Sequence, residues 1–239
     1  MTRLAEGRTT HLNADEIARE TLRQFDLSTR EPSIRSLAEA LHVTPKAIYH
    51  YYGARADVVR AAIRLVWEEA ALEASEQLAD PDRPAPDPTD FLVIVALSAR
   101  HAFGRHHRIA TYLAFSPESD RRTAGAITIV AAAFEQLGLT GDDAGLGLYS
   151  FLTYTIGSVL LEASQRRSDE LVAEQGGEQV EAFSSVTNRP GDAPSISDDT
   201  TYAIDRVMTK GGRDPLAGDE LFVAGLRLLL TNLSDRADA

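Results

Sequence analysis

Between Ser33 and Arg55 the chain reads SIRSLAEALHVTPKAIYHYYGAR, and this stretch leaves little freedom in how it can fold. Ile34, Leu37, Ala38 and Leu41 fall at i, i+3, i+4 and i+7, one apolar stripe on a short helix. Ser33 is placed to accept from the orphan N–H groups at its start. Thr44 is a natural cap for a second helix, and Pro45 takes its first position, where a missing N–H costs nothing. With only His42 and Val43 between them, the two helices must cross steeply, as in a helix-turn-helix. The second helix is too polar and aromatic for a core element, because Lys46, Tyr49, His50, Tyr51 and Tyr52 crowd into it. Lys46 and His50 share a face, and Ala47 beside them is small enough to allow close approach. Those are the properties of a helix whose N-terminal half enters a major groove.

At these residues the chain resembles the TetR family of transcriptional regulators. In that family a short helix and a three-residue turn lead into a recognition helix ending Leu-Tyr-x-x-Phe, with a lysine shortly after. Here the ending is Ile48-Tyr49-His50-Tyr51-Tyr52, followed by Gly53-Ala54-Arg55. Two positions depart from the pattern. His42 stands in the turn where the family carries glycine; histidine can adopt a left-handed backbone there, at some cost. Tyr52 stands for phenylalanine, so its hydroxyl requires a partner. The resemblance implies that Lys46, Ala47 and His50 face base edges, with apolar contact from Pro45, and that Arg35 reaches a guanine. It further implies that Ser33, Thr44, Tyr49, Tyr51 and Arg55 hold phosphates and set the register, Arg55 in the place of the family's lysine. The expected partner is a palindromic double-stranded DNA operator bound by a homodimer.

A net charge of −12 sits oddly with DNA binding until it is resolved along the chain. Residues 1–60 hold nine Arg/Lys against eight Asp/Glu, whereas 61–239 hold fifteen against twenty-eight. Contact with nucleic acid is set by the local face, so the acidic bulk does not exclude it. That bulk repels phosphate and confines the footprint. The absence of cysteine excludes a disulfide framework, a thiolate nucleophile and cysteine metal sites. The first ten residues lack the apolar run of a signal peptide, and the longest such run, Phe91 to Leu97, is too short for a bilayer. A soluble, cytoplasmic protein with no membrane partner is expected.

In chain order, residues 1–11 read as a polar arm, either a disordered tail or one whose Arg3, Arg8 and His11 brush DNA. Asn13 caps the first helix, Glu16 completes a capping box and Leu12 staples onto Ile17. Ile17, Ala18, Leu22 and Phe25 give this helix its apolar face. A long helix is expected from Asp57 to Ala79, then a linker at 80–89 with four prolines. Phe91 to His107 is expected to be an interior helix rather than a strand, because its apolar pattern persists without a turn. A short helix around Ile109 to Phe115 follows, then one from Ser116 to a stop at Gly138, then one from Thr140 to about Arg167. Residues 168–200 read as a mobile segment, either a disordered loop or a flap at a ligand entrance. Tyr202 to Met208 reads as a short amphipathic helix. Asp219 is expected to open the last helix, whose stripe of Leu221, Phe222, Leu226, Leu229, Leu230 and Leu233 is too apolar for water. Packed against their symmetry mates, the eighth and last helices would form a four-helix dimer interface, broken by Asp at Leu226 and Leu230.

The fold expected is therefore all-α, with a three-helix DNA-binding domain at 1–55 and a larger helical ligand-binding and dimerisation domain at 56–239. The larger domain is expected to hold a cavity lined by Trp67, Val95, Ser98, His101, Tyr112, Phe115, Phe134, Phe151 and Tyr154. Such an aromatic wall with a few hydroxyl and imidazole groups suits a planar, partly polar organic molecule. His101, His106 and His107 gather at one junction. Without an H-E-x-x-H spacing, helix-end capping is the expected role of the last two. In tetracycline-binding members of the family a histidine near this junction helps hold a drug–magnesium complex, but the residues around His101 differ, and no metal or cofactor is assigned. No Gly-rich phosphate loop, G-x-S-x-G elbow or paired carboxylate stands out, so no enzyme is expected, with His101 beside Tyr112 or Tyr154 the weakest of the readings. The function read is a ligand-responsive repressor released from its operator by a small organic molecule. The alternative is a constitutive DNA-binding regulator of the same fold with a filled core and no effector.

Overall fold

The computed structural model describes residues 12–28, 30–82, 84–113, 121–174, 197 and 215–237, and among these the regular structure is helical throughout. The helices are α1 (Ala14–Leu27), α2 (Ile34–Ala40), α3 (Pro45–Tyr51), α4 (Arg55–Leu78), α5 (Pro88–Arg105), α6 (His107–Ala110), α7 (Arg121–Gln136), α8 (Gly141–Glu174) and α9 (Pro215–Ala237). The chain divides into two compact units, Met1–Glu68 and Glu69–Ala239, so the division falls within α4 rather than at its start.

The N-terminal unit forms as its local signals dictate. Asn13 Oδ1 accepts from Glu16 N–H at 2.8 Å while Glu16 Oε2 accepts from Asn13 N–H at 3.2 Å, a reciprocal capping box on α1. Ile17, Ile34, Leu37, Ala38, Ile48 and Val58 close one small core, with Leu12, Leu41, Val43 and Tyr52 packed against it. The turn between α2 and α3 is a Schellman ending: Val43 N–H reaches Ala38 O at 2.9 Å and His42 N–H reaches Glu39 O at 3.3 Å. This closure needs a left-handed residue, and His42 supplies it at φ 55°. The side chain of α4 that ties back to α1 is Arg64, bonded to Asp15 at 2.9 Å.

In the C-terminal unit, α5 starts earlier than its sequence suggests. Asp87 caps it by accepting from Asp90 N–H at 2.8 Å, with Pro88 in the first turn. The helical assignment of Phe91–Val95 holds, and Leu92, Val93 and Ala96 enter a core shared with Val130, Ala133 and Phe134 of α7, Phe151 of α8 and Phe222, Leu226, Leu230 and Leu233 of α9. Close packing there depends on two glycines. A Cβ on Gly147 would stand 2.9 Å from the Phe134 ring, and one on Gly225 would stand 2.2 Å from the Tyr154 hydroxyl. Gly138, at φ 87°, ends α7 with the same Schellman pattern that His42 gives α2, as Leu139 N–H reaches Phe134 O and Gly138 N–H reaches Glu135 O.

Three expectations are corrected. Helix α8 continues past Arg167 to Glu174, because Glu170 is anchored by His107 at 2.9 Å and Arg108 at 3.0 Å. The last helix opens at Pro215, leaving Asp219 inside it to pair with Arg100 and His101. Leu226 and Leu230 are buried in the protomer's own core, so they are not the exposed dimer face expected of them. The start of a helix at Ser116, the bulk of the 168–200 segment and the expected helix at Tyr202 to Met208 lie outside the described residues.

Candidate functional site

Helix α3 presents almost everything it has to solvent, since Ile48 is its only buried residue. Thr44 Oγ1 accepts from Ala47 N–H at 3.3 Å and Ser33 Oγ accepts from Ser36 N–H at 3.0 Å, so two expected phosphate contacts are helix caps. A hydroxyl that caps as an acceptor keeps its own proton to donate, so capping and phosphate contact are compatible. Pro45, Lys46, Tyr49 and His50 are exposed, and Ala47 is half-buried beside them. The side chains of Lys46 and Tyr49 make no hydrogen bond among the described residues. The His50 ring meets Tyr51 edge-on, with centroids 5.4 Å apart and planes at 85°.

The remaining expected contacts are engaged within the unit. Tyr51 donates its hydroxyl proton to Leu12 O at 2.5 Å, and Tyr52 donates to Ala14 O at 2.8 Å, which supplies the partner that a tyrosine at this position requires. Both bonds anchor the end of α3 to the start of α1. Burial raises the phenol pKa of Tyr52 against the opposing charge of Arg64, and the group stays a donor at neutral pH. Arg35 Nε pairs with Glu39 at 3.1 Å. Arg55 Nε donates to Pro32 O at 2.9 Å and its Nη2 meets Glu31 at 2.7 Å. A groove of about 280 Å³ also lies in this unit, lined in part by Leu12, Glu16, Leu41 and Val43. None of the expected ligand-lining residues belongs to it.

Those lining residues are distributed differently. Phe134 and Phe151 sit in the core of the C-terminal unit, edge to face with centroids 6.1 Å apart, and Val95 packs against the same core. Tyr154 stacks on Phe222 at 5.3 Å and donates its hydroxyl proton to Phe222 O at 3.0 Å. Ser98 is fully buried, with Gln77 reaching its hydroxyl at 3.4 Å. Trp67 and Tyr112 are half-buried, and Phe115 lies outside the described residues. One buried polar atom stands out: Thr155 Oγ1, in the α8 stripe of Phe151, Thr155, Val159 and Ala163, has no hydrogen-bond partner among the described residues. Nothing in the sequence marks it.

His101 is held on both ring nitrogens. Nδ1 lies 2.8 Å from Glu73 of α4 and Nε2 lies 2.9 Å from Asp219 of α9. Burial lowers its pKa, but the bonds and charges of Asp219 and Glu73 outweigh that effect and the net shift is upward. Asp219 also accepts from Arg100 Nε at 2.9 Å, and buried Arg100 continues to Glu162 at 2.8 Å and Ser158 at 3.0 Å. A charged chain thus joins α4, α5, α8 and α9 within this unit. His106 and His107 do not cap with their side chains as expected. Their rings bond Glu69 at 3.1 Å and Glu170 at 2.9 Å. Among the described residues no group of three or more His, Asp or Glu is placed to hold a metal ion.

Helix α8 has the length and composition of a membrane span, but only 22% of its most apolar stretch is buried inside the chain. Leu146, Tyr149 and Leu161 project from it into solvent, and Leu228 projects from α9.

No protein-family model and no curated protein matches the chain. Solved structures do. The transcriptional regulator SCO7222 of Streptomyces coelicolor, a TetR, is 21% identical with a TM-score of 0.63, over 94% of this chain and 98% of that one. TetR of Acinetobacter baumannii AYE, carrying one substitution and in complex with minocycline, is 21% identical with a TM-score of 0.61, over 92% of each chain. The TetR family protein ActR of Streptomyces coelicolor, in complex with actinorhodin, is 18% identical with a TM-score of 0.58, over 91% of this chain and 96% of that one. The fold is that of the TetR regulators, all-α and matched over nearly the whole chain.

Proposed function

We propose that the chain is a cytoplasmic, homodimeric transcriptional regulator of the TetR family that represses from a palindromic operator and is released by a small organic molecule. The observation that carries this reading is α3: a capped seven-residue helix with one buried side chain, set on a tight turn, with Lys46, Tyr49 and His50 exposed on its outer side. Lys46, Ala47 and His50 read base edges with Pro45 beside them, Arg35 reaches a guanine, and Ser33, Thr44, Tyr49 and Arg55 hold phosphates. Tyr51 acts differently from the expectation of a phosphate contact, since its hydroxyl positions α3 against Leu12.

The apolar side chains left exposed on α8 and α9 support a two-fold interface in which each protomer covers the other's surface. Recognition helices in successive major grooves about 34–36 Å apart then require a palindromic site. Effector release is supported by the minocycline and actinorhodin complexes of proteins with this fold. A hundredfold loss of operator affinity needs about 2.7 kcal/mol of differential binding, within reach of a modest ligand.

A constitutive regulator without an effector is the second reading, and a specific observation favours it. Phe134 and Phe151 fill the C-terminal core, and both nitrogens of His101 are spent on carboxylates. Selection of duplex DNA by the purified protein, followed by binding of the Lys46→Ala variant, tests the central reading. Lys46→Ala should cost about 1–3 kcal/mol and relax one base position. Unchanged sequence preference would sink the base-reading role. Addition of a fused-ring, partly polar organic molecule such as minocycline, read by Trp67 fluorescence and operator release, separates the two readings.

A further inference from the structure

Four cationic side chains lie between residues 31 and 60, and three of them are already matched with carboxylates. Arg35 meets Glu39, Arg55 meets Glu31 and Arg60 meets Asp57. Lys46 alone has no ion pair among the described residues. The three pairs are not equivalent. Arg35–Glu39 is an i,i+4 contact between side chains 86% and 68% exposed, and Arg60–Asp57 is an i,i+3 contact. Pairs of this kind decorate the surface of one helix and hold little. Arg55–Glu31 instead joins the first residue of α4 to the segment before α2, across 24 residues of sequence. Pro32 O takes the Nε edge of the same guanidinium at 2.9 Å, so the fork is held by a carbonyl and a carboxylate together. A guanidinium engages carboxylate and phosphate through the same planar donor geometry.

We propose that Glu31 is an intramolecular stand-in for a DNA phosphate, which Arg55 must exchange for the duplex backbone when the protein binds. The inference rests on the DNA-binding reading above and concerns how tightly that same face binds. Exchanging one anion for another releases little, and the exposed carboxylate is left beside a polyanion that repels it. Phosphate contacts carry no sequence information, so this attenuation falls on all DNA alike. Glu31 therefore keeps general affinity low, and the base contacts of Lys46 and His50 decide where the protein stays.

The test uses the full-length protein on the duplex it selects and on a random duplex, between roughly 50 and 200 mM salt, where phosphate contacts dominate the response. Glu31→Gln should tighten binding to both duplexes by the same factor, about three- to tenfold at the lower salt, and steepen the salt slope by up to about 0.9, because no freed carboxylate then takes back a cation as Arg55 meets its phosphate. Glu31→Ala should reproduce the gain, which guards against a peculiarity of the glutamine. Placed in an Arg55→Ala background, Glu31→Gln should lose most of its effect. An unchanged slope, or an equal gain without Arg55, overturns the exchange. Absence of any selected sequence for the wild-type protein overturns the DNA-binding reading as well, whereas a selected sequence with no gain from Glu31→Gln overturns the exchange alone.

Discussion

On α3, seven residues leave Ile48 alone in the core, and among the outer side chains only Tyr51 is tied to another element of the described structure, through its hydroxyl to Leu12 O. On α8, one stripe of Phe151, Thr155, Val159 and Ala163 is buried on a helix that α5, α6, α7 and α9 pack against, and Phe151 meets Phe134 ring to ring. The two regions were expected to carry the two halves of the function, DNA recognition and ligand capture. They teach different lessons. A side chain exposed on a short motif is left available to a partner. A side chain inside a bundle takes the role its neighbours leave it, and three of the six aromatic residues expected around a cavity, Phe134, Phe151 and Tyr154, have become packing.

The sharpest test of that contrast lies on α9, where neighbouring positions belong to opposite environments. Leu226 is fully buried and Leu228 is 67% exposed. Leu226→Asp should place an unpaired carboxylate in the core and cost more than about 4 kcal/mol, seen as loss of the cooperative unfolding transition. Leu228→Asp should leave each protomer folded within about 0.5 kcal/mol and instead shift sedimentation from dimer to monomer. A folded, dimeric Leu228→Asp protein would place the interface elsewhere.

Thr155 offers a subtler probe of the interior. Its hydroxyl is buried without a partner among the described residues, a deficit on the order of 1–3 kcal/mol. Thr155→Val keeps the shape and removes the polar atom, so the urea midpoint should rise by the equivalent of about 1 kcal/mol. If the same substitution abolished release by an effector, the hydroxyl would be a ligand contact and the interior would be less finished than its packing suggests.

The His101 chain should make the C-terminal unit sensitive to pH. A folded-state pKa above the ordinary value means that the imidazolium stabilises fully below the unfolded value of about 6.5, and that this contribution is lost as pH rises through the folded value. A neutral ring donates to only one of Glu73 and Asp219, so one of the two bonds fails. The melting temperature relative to that of a His101→Gln variant should therefore fall as pH rises from about 6.5 up through the folded-state value. A constant difference across that range would show that the ring is not charged in the folded protein.

The smallest effect belongs to the N-terminal unit. His42→Gly removes a left-handed Cβ whose cost is about 1–2 kcal/mol, against a chain entropy penalty for glycine of about 0.5–1 kcal/mol. A net gain of up to about 1 kcal/mol in urea unfolding is expected, with operator sequence preference unchanged. A large loss instead would mean that the imidazole itself holds the turn.

Much of the N-terminal unit was legible because its determinants are local. The capping boxes at Asn13 and Ser33, the Thr44-Pro45 start and the left-handed demand on His42 each involve residues within a few positions of one another, and each has the geometry its chemistry requires. The demand of Tyr52 for a partner was legible too, although only the fold revealed that Ala14 O meets it. What sequence periodicity cannot rank is which of several apolar faces on a long helix turns inward. Leu226 and Leu228 are two residues apart on α9, and only the positions of α5, α7 and α8 decide that the first is core and the second is surface. The charges behaved in the same way: Arg55 with Glu31, His101 with Glu73 and Asp219, and Arg100 with Glu162 are partners brought together from 24 to 118 residues apart or from separate helices. Local chemistry determined the helices and their caps by itself. The pairing of distant charges and the filling of the interior were decided by tertiary packing, because burial and Coulomb attraction act through space and leave no periodic trace along the chain.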